Sequence, residues 1–146
     1  MDQWREKVVG LAQSHLGVPY IPRCLIPELG LDCGTLLYFV YREVIKLPAF
    51  PATYSADWAL HTEDNRYLDW IKPFIVQISR PIRGGISVWK YGRSFSHGAI
   101  VVDKHHVIHA WGRSSFGCVQ KSHTNLFKIG QEQREVKHFD LRPECR

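Results

Sequence analysis

The stretch Asp32-Cys33-Gly34-Thr35-Leu36-Leu37-Tyr38-Phe39-Val40-Tyr41-Arg42-Glu43-Val44 decides how this chain is read. Asp is among the strongest helix N-caps, because its carboxylate accepts the unpaired N–H groups of the first turn. Leu36, Leu37, Val40 and Val44 recur at helical spacing, and Pro48 and Pro51 stop the helix. A helix therefore opens at Cys33, three residues ahead of its own apolar stripe. The N-terminus of a helix carries unpaired N–H groups and the positive end of the dipole, which favour a thiolate. A cysteine nucleophile needs such a device, since a free thiol is only a few per cent ionised near neutral pH. A cysteine without a role is commonly a small buried hydrophobe. The position of Cys33 ahead of the apolar stripe favours the nucleophile.

Working outward, Asp2 caps a first helix with an apolar face of Trp4, Val8, Leu11 and Ala12, ending near Gly17. Residues 18–30 form a loop rich in Pro and Gly. Thr62, followed by Glu63 and Asp64, caps a short helix that runs through Tyr67, Leu68 and Ile71 to Pro73. Beyond Phe74 the period changes to two. Strands are expected at 75–78, 86–91, 99–102, 107–110 and 136–141, with turns at Arg83-Gly84-Gly85 and Asp103-Lys104. Helices first and strands later, without alternation, predict an α+β fold with an antiparallel sheet in a single domain, 1–146.

Composition narrows the function classes. With 45% hydrophobic and 23% charged residues in 146, the chain is expected to bury a packed core. Trp4, Trp58, Trp70, Trp89 and Trp111 fall at apolar positions, where packing is their expected use. The net charge of +5 comes from basic residues that are spread out, not gathered in a run, and no nucleic-acid recognition motif accompanies them. No stretch approaches a membrane span, and charges occupy the start where a signal peptide has its apolar run, so cytoplasmic synthesis is expected. Cys24, Cys33, Cys118 and Cys145 form no Cys-x-x-Cys pair, so reduced thiols are expected.

A thiol nucleophile needs a base. Of eight histidines, His97 stands out because it follows the polar loop Gly92-Arg93-Ser94-Phe95-Ser96 and opens the apolar run Ala99-Ile100-Val101-Val102. Strand ends at loops hold catalytic groups rigid yet accessible. His109, twelve residues on, is the candidate to orient it. A symmetric turn at Lys104-His105-His106 would pair His109 with Val101 and leave His97 four residues, roughly 13 Å, away. That arrangement demands a bulge or a strong twist before the two imidazoles meet. His105, His106 and His109 lie in a turn and strand, not on a helix face, so no metal site and no cofactor are expected.

These residues, in this order, resemble the NlpC-type cell-wall peptidases, bacterial and phage thiol proteases with a compact papain-like fold. The segments carrying the resemblance are Val18-Pro19-Tyr20, DCGTLLYFVYREV (32–44), GGISVWKYGRSFSHGAIVV (84–102) and VIHAWG (107–112). The resemblance implies Cys33 as nucleophile, His97 as base and His109 as the polar residue orienting it. It puts Tyr20 and Asp32 in the oxyanion and substrate-binding surroundings, with the Cys33 N–H as a further oxyanion donor. The implied substrate is a peptide bond of the peptidoglycan stem peptide. The stretch DWALHTEDNRYLDWI (57–71) is similar to an insertion of phage-tail-associated members, which implies phage tail proteins as partners and delivery to the wall by a tail or by lysis. Where many members have Trp-Gly-Gly after the tyrosine, this chain has Ile21-Pro22-Arg23. Gly34 stands for a serine, and Gly84-Gly85 for Gly-Asp. These departures bear on specificity. Two alternatives stay open: a tail assembly component with an idle site, and amidase or acyl-transfer chemistry on the same fold.

Overall fold

The structure, a computed structural model, describes residues 2–50, 66–112 and 117–146. Helix α1 (Gln3–Ser14) and helix α2 (Cys33–Tyr41) precede strands β1 (Ile75–Ile78), β2 (Ile86–Tyr91), β3 (Ser94–Val101), β4 (His106–Trp111), β5 (Cys118–His123), β6 (Lys128–Ile129), β7 (Glu132–Gln133) and β8 (Val136–Leu141). Among the described residues, six strands form one antiparallel sheet in the order β1-β8-β2-β3-β4-β5, and β6 and β7 pair separately. The fold is α+β, as the order of periodicities predicts. No helix among the described residues is long and apolar enough to cross a membrane.

The helices pack on the sheet through the expected stripes. Val8, Val9 and Ala12 of α1 and Leu36, Leu37 and Val40 of α2 are fully buried against Ile86, Val88, Ile100 and Ile108. Polar ties fix the docking. Arg5 grips Asp140 of β8 with two bonds of 3.0 and 2.8 Å, and Tyr41 Oη donates to the Gly84 carbonyl at 2.6 Å. Gly84 has φ +80, and a Cβ there would lie 3.0 Å from Arg5 Cα, so both conformation and space call for glycine.

Several boundaries differ from the sequence reading. Helix α2 ends at Tyr41, well before Pro48, because Glu43, Val44 and Ile45 turn back to bond the carbonyls of Val40 and Tyr41. Asp2 makes no side-chain cap and pairs with Arg5 Nε at 3.2 Å instead. The Thr62 cap and Trp58 lie outside the described residues. The described part of that predicted helix forms two 3₁₀ turns, Arg66–Leu68 and Lys72–Phe74, where Pro73 cannot continue an α-helical ladder. Strand β5 was not predicted. Its only fully enclosed residue is Val119, so it lacks the apolar alternation that marks a strand.

Candidate active site

The thiol end is built within four residues. Asp32 accepts from the N–H groups of Gly34 (2.9 Å) and Thr35 (2.8 Å), and Thr35 Oγ1 accepts from the Asp32 N–H at 2.8 Å, which closes a capping box. The other carboxylate oxygen accepts from Arg23 N–H at 2.7 Å and ties the 20–30 loop to the helix start. Asp32 is 2% exposed. Asp32 thus caps the helix and tethers the loop.

Cys33 is half-buried, and its Sγ donates to the Ser96 carbonyl at 3.6 Å. Burial and then the Asp32 charge push its thiol up to about 12, while the Tyr67 hydroxyl and the N–H groups of Gly98 and Cys33 pull the other way. Burial thus works against the helix N-terminus at this thiol, which leaves a proton acceptor beside it the second half of the device. Tyr67 Oη also accepts from Gly98 N–H at 3.2 Å, and a Cβ at Gly98 would sit 2.8 Å from that oxygen. Glycine here lets the phenol reach the strand.

The imidazole end is built from three strands. His97 Nε2 lies 2.8 Å from His109 Nδ1, and His109 Nε2 lies 2.8 Å from Ser122 Oγ. The hairpin register explains how they meet. Val101 pairs with Val107 and Ile100 with Ile108, a shift of two residues from the symmetric turn that, continued along the strands, sets His109 opposite Ala99. His97 is then a diagonal neighbour, within reach of a ring. The bulge that spacing seemed to require lies elsewhere. Trp89 pairs with His97 and Lys90 with Phe95, so Ser96 is the extra residue of β3. That bulge aims the Ser96 carbonyl at Cys33 immediately before His97.

Aromatic rings enclose both imidazoles. Tyr91, Trp111 and Phe127 stand 5.1 to 5.5 Å from the His97 ring, and Phe127 lies 5.1 Å from His109. His109 is fully buried, and burial pulls its pKa down to about 4, so it is neutral near pH 7. Tyr20 lies against Gly112, where a Cβ would meet its ring at 2.6 Å, and its N–H donates to the Gly117 carbonyl. Burial, then the charges of Cys33 and Asp32, push its phenol upward, so it stays a hydrogen-bond donor.

Several residues of this neighbourhood escaped the sequence reading. Tyr67 reads as one more apolar position, and nothing local marks its hydroxyl. Ser122 sits on the unpredicted strand. Trp111, expected only to pack, lies two residues beyond His109 on β4 and so shares its face. Three other imidazoles, His105, His106 and His123, gather at the far hairpin end, with His106 Nδ1 2.9 Å from Asp103. Among the described residues no three His, Cys, Asp or Glu side chains converge as a metal site would need.

The same architecture is found in solved structures. The NlpC/p60 domain of the peptidoglycan hydrolase SagA superposes with TM-score 0.60 at 17% identity, over 91% of this chain and 96% of that one. The chain has the NlpC/p60 fold. The Mycobacterium tuberculosis peptidoglycan hydrolase RipB matches this fold with TM-score 0.61 at 18% identity, over 94% of this chain and 64% of its own. RipD of the same organism, described as a non-catalytic NlpC/p60 protein adapted to peptidoglycan binding, matches with TM-score 0.57 at 15% identity, over 98% and 99% of the two chains. No family model and no curated protein matches the sequence.

Proposed function

We propose that this NlpC/p60-fold chain is a cysteine peptidase that hydrolyses a peptide bond in the peptidoglycan stem peptide, with Cys33 as nucleophile, His97 as base and His109 orienting the base. The observation that carries this reading is the line from His97 through His109 to Ser122, with Cys33 Sγ against the residue preceding His97. With His97 Nε2 turned to His109, proton exchange with the thiol falls to Nδ1. A neutral His109 that donates Nε2–H to Ser122 Oγ presents Nδ1 as acceptor for His97 Nε2–H, which keeps that tautomer.

The steps follow. The Cys33 proton moves to His97, and the thiolate attacks the carbonyl carbon. The Cys33 N–H and the Tyr20 hydroxyl hold the oxyanion. Imidazolium His97 gives its proton to the leaving amine as the C–N bond breaks. Water, deprotonated by His97, then hydrolyses the thioester and restores the thiol. The surplus of basic residues favours an anionic wall. Chain 1–146 acts as one domain in this reading. The phage-tail association adds partners and a delivery route, and rests on the resemblance of residues 57–71 alone.

A second reading, peptidoglycan binding without cleavage, draws on the strongly raised Cys33 thiol and on the non-catalytic RipD match. Digestion of purified sacculi by wild type and by Cys33→Ala, with mass spectrometry of the released fragments, separates the two. New peptide ends made only by the wild type are expected. Sacculi that bind both proteins and release nothing would leave the binding reading.

A further inference from the structure

The hydroxyl of Tyr67 reaches the Cys33 sulfur and takes no part in the steps above. Its ring is held from the backbone outward. Tyr67 is the middle residue of the 3₁₀ turn Arg66–Leu68, and the Trp70 Nε1–H donates to its carbonyl at 3.1 Å. The residue is 8% exposed. A hydroxyl buried this far needs partners for both its oxygen and its proton.

Those two partners differ. Tyr67 Oη accepts from the Gly98 N–H at 3.2 Å, and a Cβ on residue 98 would stand only 2.8 Å from that oxygen. With Gly98 donating to the oxygen, the phenol proton is directed to Cys33 Sγ, where it favours the ionised sulfur. In the resting thiol, Sγ donates in turn to the Ser96 carbonyl at 3.6 Å. One chain of hydrogen bonds therefore runs from Gly98 N–H through Tyr67 O–H and Cys33 S–H to Ser96 C=O, each polarising the next. Both ends of the chain are main-chain groups of the residues that flank His97.

The sense of each contact decides its effect. The Ser96 carbonyl accepts the thiol proton and so favours the neutral sulfur. Once that proton has left, Ser96 has nothing to accept, whereas Tyr67 still donates. The other titratable groups beside the sulfur are Asp32, which opposes its charge, Tyr20, whose own ionisation that charge opposes, and His97, next to Ser96. We propose that Tyr67 is a catalytic residue: it keeps its own proton and donates a hydrogen bond to the Cys33 thiolate as the thiol proton passes to His97. Because the resting sulfur is a thiol, stabilising the thiolate lowers a barrier and does not deepen the starting state. The same donor eases departure of the sulfur when water cleaves the thioester. These consequences for turnover rest on the peptidase reading, whereas the contact with the thiolate is read without it.

Tyr67→Phe removes the hydroxyl and keeps the ring, and the Gly98 N–H retains Cys33 as a partner. The readout is the ultraviolet absorbance of the thiolate against pH, each protein referenced to its Cys33→Ala counterpart. Loss of one charge-assisted hydrogen bond should raise the midpoint by about one pH unit and slow Cys33 alkylation at pH 8 about tenfold. Fluorotyrosine placed at position 67, a more acidic donor of similar shape, should move the midpoint the other way. With soluble muropeptides as substrate, Tyr67→Phe should lower kcat about tenfold and leave KM within about twofold. An unchanged midpoint in Tyr67→Phe, with sacculi still cleaved, would overturn the role of Tyr67 and leave the peptidase reading standing. A raised midpoint with no cleavage by wild type would keep the phenol at the thiolate and overturn the peptidase reading. A midpoint that moves the same way in both variants would assign the effect to packing, and would also overturn the proposal. Should Tyr67→Phe fail to fold, the sign of the fluorotyrosine shift decides alone.

Discussion

The two ends of the candidate site are built on different length scales and resist charge in opposite ways. The thiol end occupies Asp32 to Thr35, closed by a capping box within one turn. The imidazole end draws His97, His109 and Ser122 from three strands. Burial, with Asp32 beside it, holds the Cys33 proton on up to about 12, and burial holds protonation of His109 down to about 4. Neither group charges readily by itself. In the proposed mechanism the thiolate forms only as its proton moves to His97, so there the pair and not either group is the functional unit.

The largest effect expected from breaking that pairing is in His97→Ala. Turnover should fall by about 10³-fold or more, and alkylation of Cys33 at pH 8 by at least tenfold, as the thiol loses its proton acceptor. An alkylation profile identical to wild type would show that His97 does not share the thiol proton.

Acid titration probes the other end. The folded-state pKa of His109 lies below the ordinary 6.5, so its contribution to stability is present above pH 6.5 and is lost as pH falls toward 4. About 3 kcal/mol of destabilisation is expected across that window. His15 and His138, also lowered by burial, act in the same direction. Urea melts of wild type and His109→Phe at pH 7 and pH 4.5 check this, and the substitution should flatten the dependence. Equal pH slopes in the two proteins would move the acid sensitivity away from His109.

The smallest effect sharpens the thiol end. Asn caps a helix about as well as Asp but turns an N–H toward the Arg23 N–H, so Asp32→Asn should cost about 1–2 kcal/mol in thermal unfolding. Removing the charge that raises the Cys33 thiol should nevertheless speed its alkylation at pH 8 by several-fold. A slower reaction would mean that the carboxylate acts on the thiol mainly through the geometry of the cap.

Local chemistry and the period of the apolar residues were enough to place α2, its cap and Cys33, because a capping box closes over four consecutive residues. The same holds for β1, β2 and β8, whose bounds agree with the change of period after Phe74. The meeting of His97 with His109 was not readable, because sequence spacing does not state a hairpin's register, and a two-residue shift changes the distance from four residues to two. The Ser96 bulge, the Tyr67 hydroxyl against Gly98 and the Ser122 partner depend on which strands become neighbours. Local patterning was sufficient for α1, α2, β1, β2 and β8 and the chemistry they carry. Tertiary structure alone decided which groups share a proton, since burial and cross-strand pairing act between residues that the chain keeps far apart.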